Sequence, residues 1–349
     1  MNLFFKQLGL TAPIIQAPMA GAQNHRLALA VCQAGGLGSL PAAMLNPQDL
    51  QIELMALKAG THAPYNVNFF CHSAPLPDPA RQARWHQTLA PYYRELGLDP
   101  NSISSGPGRV PFGHDSADVL EAFKPAVVSF HFGLPAPDLL ARVKGWGSYV
   151  WSSATTVQEA MWLQAQGVDA IIAQGLEAGG HRGMFLTDDL STQMGTYALL
   201  PQIVSAVRVP VIAAGGIATT QGVVAARQLG ASGVQIGTAY LCCHEASTSA
   251  VHRAALQSNA SGHTALTTLF SGRPARGIVN RLMQELGPLH SAAPAFPLAT
   301  AGIAPLRAAA EARGSSDFTP LWAGQNTGGC RVLPAAEITR EFLQAWGTA

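Results

Sequence analysis

Eight short apolar segments, each followed by a stretch with helical spacing, constrain this chain more than any other feature. They are PIIQAPM (13–19), LGSLPA (37–42), YNVNFF (65–70), AVVSFHF (126–132), YVWSSA (149–154), AIIAQG (170–175), PVIAAGG (210–216) and GVQIGT (233–238). A strand that is apolar along its whole length, rather than at every second residue, has both faces covered. That is the condition of a parallel sheet flanked by helices. Intervening segments such as NHRLALAVCQAGG, TVQEAMWLQAQG and TTQGVVAARQLGA carry apolar residues three and four apart and stop at glycine, as surface helices do. Eight strand–helix units predict an α/β fold, a (β/α)8 TIM barrel rather than an open doubly wound sheet.

Two stretches fall outside this unit. Residues 71–116, rich in Pro, Gly and Ser around ISSGPGRVPFGHD, form an insertion after strand 3, with one helix expected over PARQARWHQTLAPYYREL. Residues 260–349 form a C-terminal cap segment, expected to be helical. The barrel is then assembled from residues 1–70 and 117–259. Neither extra stretch carries a second core of its own, so both are expected to cover one rim of the barrel. A small separate helical domain is the alternative.

Composition narrows the class of function. Of 349 residues 48% are hydrophobic and 12% charged, about half the usual charged share, so a sizeable core is expected. The net charge of +1 offers no basic field for nucleic acid or anionic membrane. Five scattered cysteines (Cys32, Cys71, Cys242, Cys243, Cys330) argue against a disulfide framework and for a reducing compartment. The N-terminal MNLFFKQLGLTAPIIQAPMAG is a poor signal peptide, and no apolar run approaches the ~20 residues of a membrane span. A cytoplasmic globular protein is expected. Oligomeric state is not legible, although low charge leaves room for an apolar interface between copies.

The ends of the last two barrel strands are glycine-bearing: AAGGI (213–217) contains Gly215 and Gly216, and GVQIGTAYL (233–241) contains Gln235, Ile236, Gly237 and Thr238. Barrels often build a phosphate site there from loop amides and a helix N-terminus. Read alone, such glycines are also simply tight turns; their recurrence on consecutive strands favours phosphate. Met19 in QAPMAGA reads either as core filler or as an apolar surface for one face of a conjugated ring. Asn68 and Gln174 are amides at the ends of apolar strands. Leaving either unpaired costs about 1–3 kcal/mol, so each requires a partner, whether backbone or a heteroaromatic ligand. No G-x-G-x-x-G follows a strand, so a dinucleotide site of the Rossmann type is not indicated.

The most specific segment is AQGLEAGGHRG (173–183), which places His181 among Gly179, Gly180 and Gly183 just past a buried strand. An imidazole near its own pKa takes or holds a proton at neutral pH. Glu177 reads either as its orienting carboxylate or as a solvated one. His131, in SFHFGLP, ends the fourth strand at the same mouth. No third ligand at metal-like spacing joins the two histidines, so no metal is expected. G-x-S-x-G is absent, which removes support for an α/β-hydrolase.

Taken in order, APIIQAPMAG, AGGLGSL, YNVNFF, SFHFGLP, AQGLEAGGHRG, AAGGI and GVQIGTAYL resemble the class I nitronate monooxygenases, formerly called 2-nitropropane dioxygenases. The likeness runs from about Pro13 to Leu241 and continues weakly through SGRPARGIVNR and LWAGQNTGG. Its glycine-rich pieces are shared with other flavin barrels, including flavin-dependent enoyl-ACP reductases. The resemblance implies bound FMN and oxidation of alkyl nitronates, notably propionate 3-nitronate, by O2 to a carbonyl compound and nitrite. It implies that Gly215, Gly216 and Gln235 to Thr238, with Ile236 and Gly237 between, hold the phosphate region. Asn68, Gln174, Gly179 and Gly180 would contact the flavin, Met19 would lie against its ring, and His181 would be the catalytic base or positioning group. His131 and Trp322 would line the substrate side. An NAD(P)H-dependent reductase on the same barrel and a non-redox phosphate-binding barrel are the alternatives. The chain departs from the family at Asn24–His25, where a small hydroxyl residue and proline are more usual, and beyond AGQ at QNTGG.

Overall fold

The computed structural model describes residues 3–103 and 109–348; residues 104–108 of the insertion segment lie outside the described residues. All eight expected strands are present: β1 (Ile14–Gln16), β2 (Gly38–Pro41), β3 (Tyr65–Phe70), β4 (Val127–His131), β5 (Tyr149–Ala154), β6 (Ala170–Gln174), β8 (Val211–Ala214) and β9 (Gly233–Ile236). Between β6 and β8 lies a two-residue strand, β7 (Gly180–His181), which joins β10 (Thr264–Thr267) and β11 (Ala275–Ile278) in a separate antiparallel sheet. The eight barrel strands are parallel, and β1 pairs with β9. The ring closes where Gln16 N donates to Leu37 O at 3.0 Å and Leu37 N donates to Ile14 O at 2.8 Å. The fold is a (β/α)8 TIM barrel.

Alternation sorts the side chains. Ile14, Val67, Val128, Val150, Ile171, Ala213 and Val234 pack outward against the helices. Ile15, Val127, Trp151, Ile172 and Ile212 fill the barrel interior, closed from below by Phe5 of the N-terminal helix Leu3–Gln7. Towards the C-terminal strand ends the inward positions turn polar: Asn68, Ser129, Ser153, Gln174 and Gln235. Several outer helices begin with a side-chain cap. Asn46, Thr156 and Thr219 accept from the third residue on in Pro47–Gly60, Val157–Ala165 and Thr220–Gln228. Such caps contribute roughly 1 kcal/mol each and fix where a helix leaves its loop. The departure at Asn24–His25 works the same way: Asn24 caps the helix His25–Gln33, and His25 Nδ1 lies 2.9 Å from Glu53.

The insertion and the C-terminal segment share one apolar core. Trp85, Leu89 and Tyr93 of the helix Pro79–Glu95 pack against Ile303 and Leu306 of the helix Ala299–Glu311 and against Phe318. Tyr93 Oη donates to Gly302 O at 2.7 Å. The final helix, Ala335–Thr348, leaves this cap and returns to the barrel. There Ile338, Phe342 and Trp346 join the layer between strands and helices. All five cysteines are unpaired, and no helix among the described residues is long and apolar enough to cross a membrane.

Candidate active site

A cavity opens at the C-terminal ends of the barrel strands beneath the cap, with about 1640 Å³ of empty space, its mouth included. It is lined by Met19, Asn68, His131, Gln174, Gly179, Gly180, His181, Gly215, Gly216, Gln235, Gly237, Thr238 and Trp322, which brings together nearly every residue singled out in the sequence. Ile236 does not line it. Inward and outward positions alternate, so its side chain is buried among the outer helices while its carbonyl accepts from Ala17 N at 2.8 Å. No aspartate or glutamate side chain lines the cavity among the described residues.

His181 stands on β7, held by pairing with Ala275 of β11. Its Nε2 lies 2.9 Å from Ser271 Oγ, and Nδ1 has no hydrogen-bond partner among the described residues. Aromatic rings surround it: Phe296 at 5.3 Å between centroids, Trp322 at 5.6 Å, Phe70 at 5.9 Å and Phe132 at 6.0 Å. Burial among these rings, followed by the positive charge of Arg109, holds the imidazole well below its ordinary pKa. The ring is therefore neutral at neutral pH and able to accept a proton. Phe132 has φ 70°, a left-handed conformation rare outside glycine and of the kind that clusters at functional sites.

The glycines around His181 have separate tasks. At Gly179 a Cβ would lie 2.5 Å from Gly324 N, and at Gly183 it would lie 2.8 Å from His131 Cε1. The first glycine admits the cap backbone and the second admits an imidazole. Between them Arg182, fully buried, donates to Gly175 O at 2.6 Å, Gln174 O at 2.7 Å and Gln193 Oε1 at 3.0 Å. It thereby satisfies the carbonyls that end β6.

Four side chains have more local partners than their sequence positions suggest. Gln174 Nε2 donates to His181 O at 2.9 Å and its Oε1 accepts from Gly183 N at 2.7 Å, so this amide shapes the histidine loop from inside. Asn68 Nδ2 donates to Ser129 O and Oγ. Glu177 does not orient His181: its carboxylate accepts from Thr196 N at 2.8 Å and from Thr196 Oγ1 at 2.9 Å. Ser271 takes that place instead. His131 Nδ1 is 2.9 Å from Ser153 Oγ and its Nε2 is 3.1 Å from His181 O, so it buttresses the same loop while lining the cavity. Arg109, Ser271, Phe296 and His252 escaped sequence reading. The first three come from the insertion and cap and His252 from the helix Ala250–Leu256 after β9, where no periodicity marks an inward residue.

The opposite wall is backbone-rich. The N–H groups of Gly216, Gly237 and Thr238 have no acceptor among the described residues. Gln235 Oε1 is buried without a partner. The cap seals this wall through Gly324 N, which donates to Thr238 Oγ1 at 2.9 Å, and Gln325 N, which donates to Glu177 O at 2.9 Å.

Two further imidazoles respond to acid. Burial lowers both His252, 7% exposed on the cap side of the cavity, and His131 to about 4. In the unfolded chain each titrates near the ordinary value of about 6.5. The unfolded state then binds more protons between these limits. Stability is complete above the upper limit and declines as pH falls towards the lower one. Each imidazole contributes on the order of 2–3 kcal/mol. The Tm is expected to fall from pH 7 to pH 4.5, and His252→Gln to fall less steeply over that range. Parallel curves would remove His252 from the account.

Fold and site together define a (β/α)8 barrel with a cavity at its C-terminal mouth, between a buried histidine and a glycine-rich backbone wall. A family profile described as nitronate monooxygenase matches residues 2–345. The chain is 43% identical over 339 residues to the nitronate monooxygenase of Paraburkholderia phytofirmans, covering 96% of this chain and 92% of that one. It is 40% identical to the nitronate monooxygenase of Pseudomonas aeruginosa, covering 98% of each. A crystal structure of nitroalkane oxidase from Streptomyces ansochromogenes superposes with a TM-score of 0.90 at 36% identity, covering 99% of both chains. The chain belongs to the nitronate monooxygenase family, a family of oxidoreductases.

Proposed function

We propose that the protein is an FMN-dependent nitronate monooxygenase, oxidising alkyl nitronates such as propionate 3-nitronate with O2 to a carbonyl compound and nitrite. The observation that carries this reading is one acid-free cavity with a neutral imidazole on one side and unsatisfied backbone amides on the other. The residues fit FMN. The N–H groups of Gly216, Gly237 and Thr238 would suit its phosphate, and the orphaned Gln235 Oε1 on the same wall requires a hydrogen-bond donor, which the bound cofactor would supply. Met19 adds an apolar surface. When bound, the flavin supplies the electron transfer between nitronate and dioxygen.

The chain's own residues do the rest. His181 Nδ1 accepts the α-proton of a neutral nitroalkane or holds the nitronate head in place, while Ser271 fixes the ring through Nε2. Phe70, Phe132, Phe296 and Trp322 exclude water around it. The test is aerobic incubation of the FMN-loaded protein with ethyl nitronate, measuring oxygen uptake and released nitrite. Both are expected. NADH oxidation without nitrite would replace this reading with the reductase one, and a colourless protein that takes up no FMN would remove both.

A further inference from the structure

Arg109 enters the cavity from the insertion and, among the described residues, meets no carboxylate in its lining. Its carbonyl accepts from or faces His72 Nε2 at 3.0 Å, and Phe112 N, three residues on, donates to Phe70 O at 2.8 Å. The segment is thereby fixed beside the end of β3. The guanidinium lies over the rings of Phe296, at 5.6 Å, and Phe70, at 5.9 Å, two of the rings that flank His181. Its Nη1 is buried and has no hydrogen-bond partner among the described residues. Of the other guanidiniums nearby, Arg307, also in the cavity wall, pairs with Glu311 at 2.7 Å. Arg273, whose Nε is likewise buried without a partner among the described residues, does not line the cavity; it lies over the Phe132 ring at 4.1 Å and donates to Met184 O.

An enclosed guanidinium without a counter-charge is costly unless an anion completes it. The nitronate head is such an anion: planar, with its charge shared by two oxygens, matching the paired donors of arginine. Neutral His181 brings no charge to the same place. We propose that Arg109 is a specificity-determining residue that binds the nitronate head as its counter-ion and selects the anion over the neutral nitroalkane of the same skeleton. This rests on the nitronate reading above. The two substrates differ by one proton, so the charge on Arg109 acts on one and not the other. A hydrogen bond to a charged group is worth about ten- to a hundredfold in affinity.

The experiment compares ethyl nitronate with nitroethane, using FMN-saturated wild-type protein and the variants Arg109→Met and Arg109→Lys. Wild type is expected to favour the nitronate by at least tenfold in KM. In R109M that preference should fall to about threefold or less through a higher nitronate KM, and R109K should restore most of it. A preference that survives in R109M overturns the proposal. A second measurement does not depend on turnover: calorimetric titration with nitrate, a planar anion that is not a substrate, with saturating FMN present to fill the phosphate wall. Wild type and R109K should bind nitrate at least tenfold more tightly than R109M. Equal affinities overturn the proposal even if nitronates are turned over. Tight Arg109-dependent nitrate binding with no nitrite released from any nitronate would instead leave the anion site standing and remove the proposed reaction. Should R109M fail to fold, Arg109→Gln takes its place in the same titration and is expected to bind nitrate at least tenfold less tightly than wild type; equal affinities overturn the proposal.

Discussion

Replacing His181 by asparagine is expected to lower kcat/KM for nitroethane at least a hundredfold while the protein still takes up FMN. Asparagine keeps a polar side chain at the site but has no group that accepts a proton near neutral pH. Positioned general bases contribute about 10²–10⁴ in rate. Ethyl nitronate has already lost that proton, so its kcat/KM should fall by roughly tenfold or less, the part due to lost placement. The pair of variants therefore separates two functions: H181N injures the neutral substrate more, R109M the anion. Steady-state kinetics on both substrates, with flavin content from the visible spectrum, reads this directly. An equal loss on the two substrates would mean that the imidazole only positions them.

The second large effect is expected at Gly179. An added methyl would lie 2.5 Å from Gly324 N and 2.6 Å from the Ala323 carbonyl carbon. Backbone cannot move aside as a flexible side chain can, so the cap strand must shift. That shift would pull Gly324 N from Thr238 Oγ1 and Gln325 N from Glu177 O. Overpacking of this kind costs about 1–3 kcal/mol. Gly179→Ala is expected to lower the Tm by several degrees and to weaken FMN binding at least tenfold, measured by fluorescence titration of the apoprotein. Unaltered FMN affinity would show that the seam does not shape the phosphate wall.

The barrel was legible because its strands are buried on both sides and so leave continuous apolar runs, and because the segments between them carry apolar residues three and four apart and stop at glycine. The histidine loop was legible because glycines crowd a single imidazole. Other parts have no local signature. The small sheet of β7, β10 and β11 includes a strand reading ARGI, whose Arg276 is buried because it donates to Leu176 O, a partner a hundred residues away. Ser271, Phe296 and Arg109 meet at the mouth only through tertiary folding of the insertion and cap. Gln174 shows how a strand-end amide reads two ways: it lines the cavity, and both ends of its amide are also taken up by the loop it supports.

The return of Ala335–Thr348 to the helical ring has a consequence for how molecules reach the mouth. The roof is not a free tail; it is a long excursion anchored in the same cylinder at its start, after β9, and at its finish. A roof moored at both shores does not swing aside like a door on one hinge. Any opening of the roof as a whole would have to bend both moorings at once.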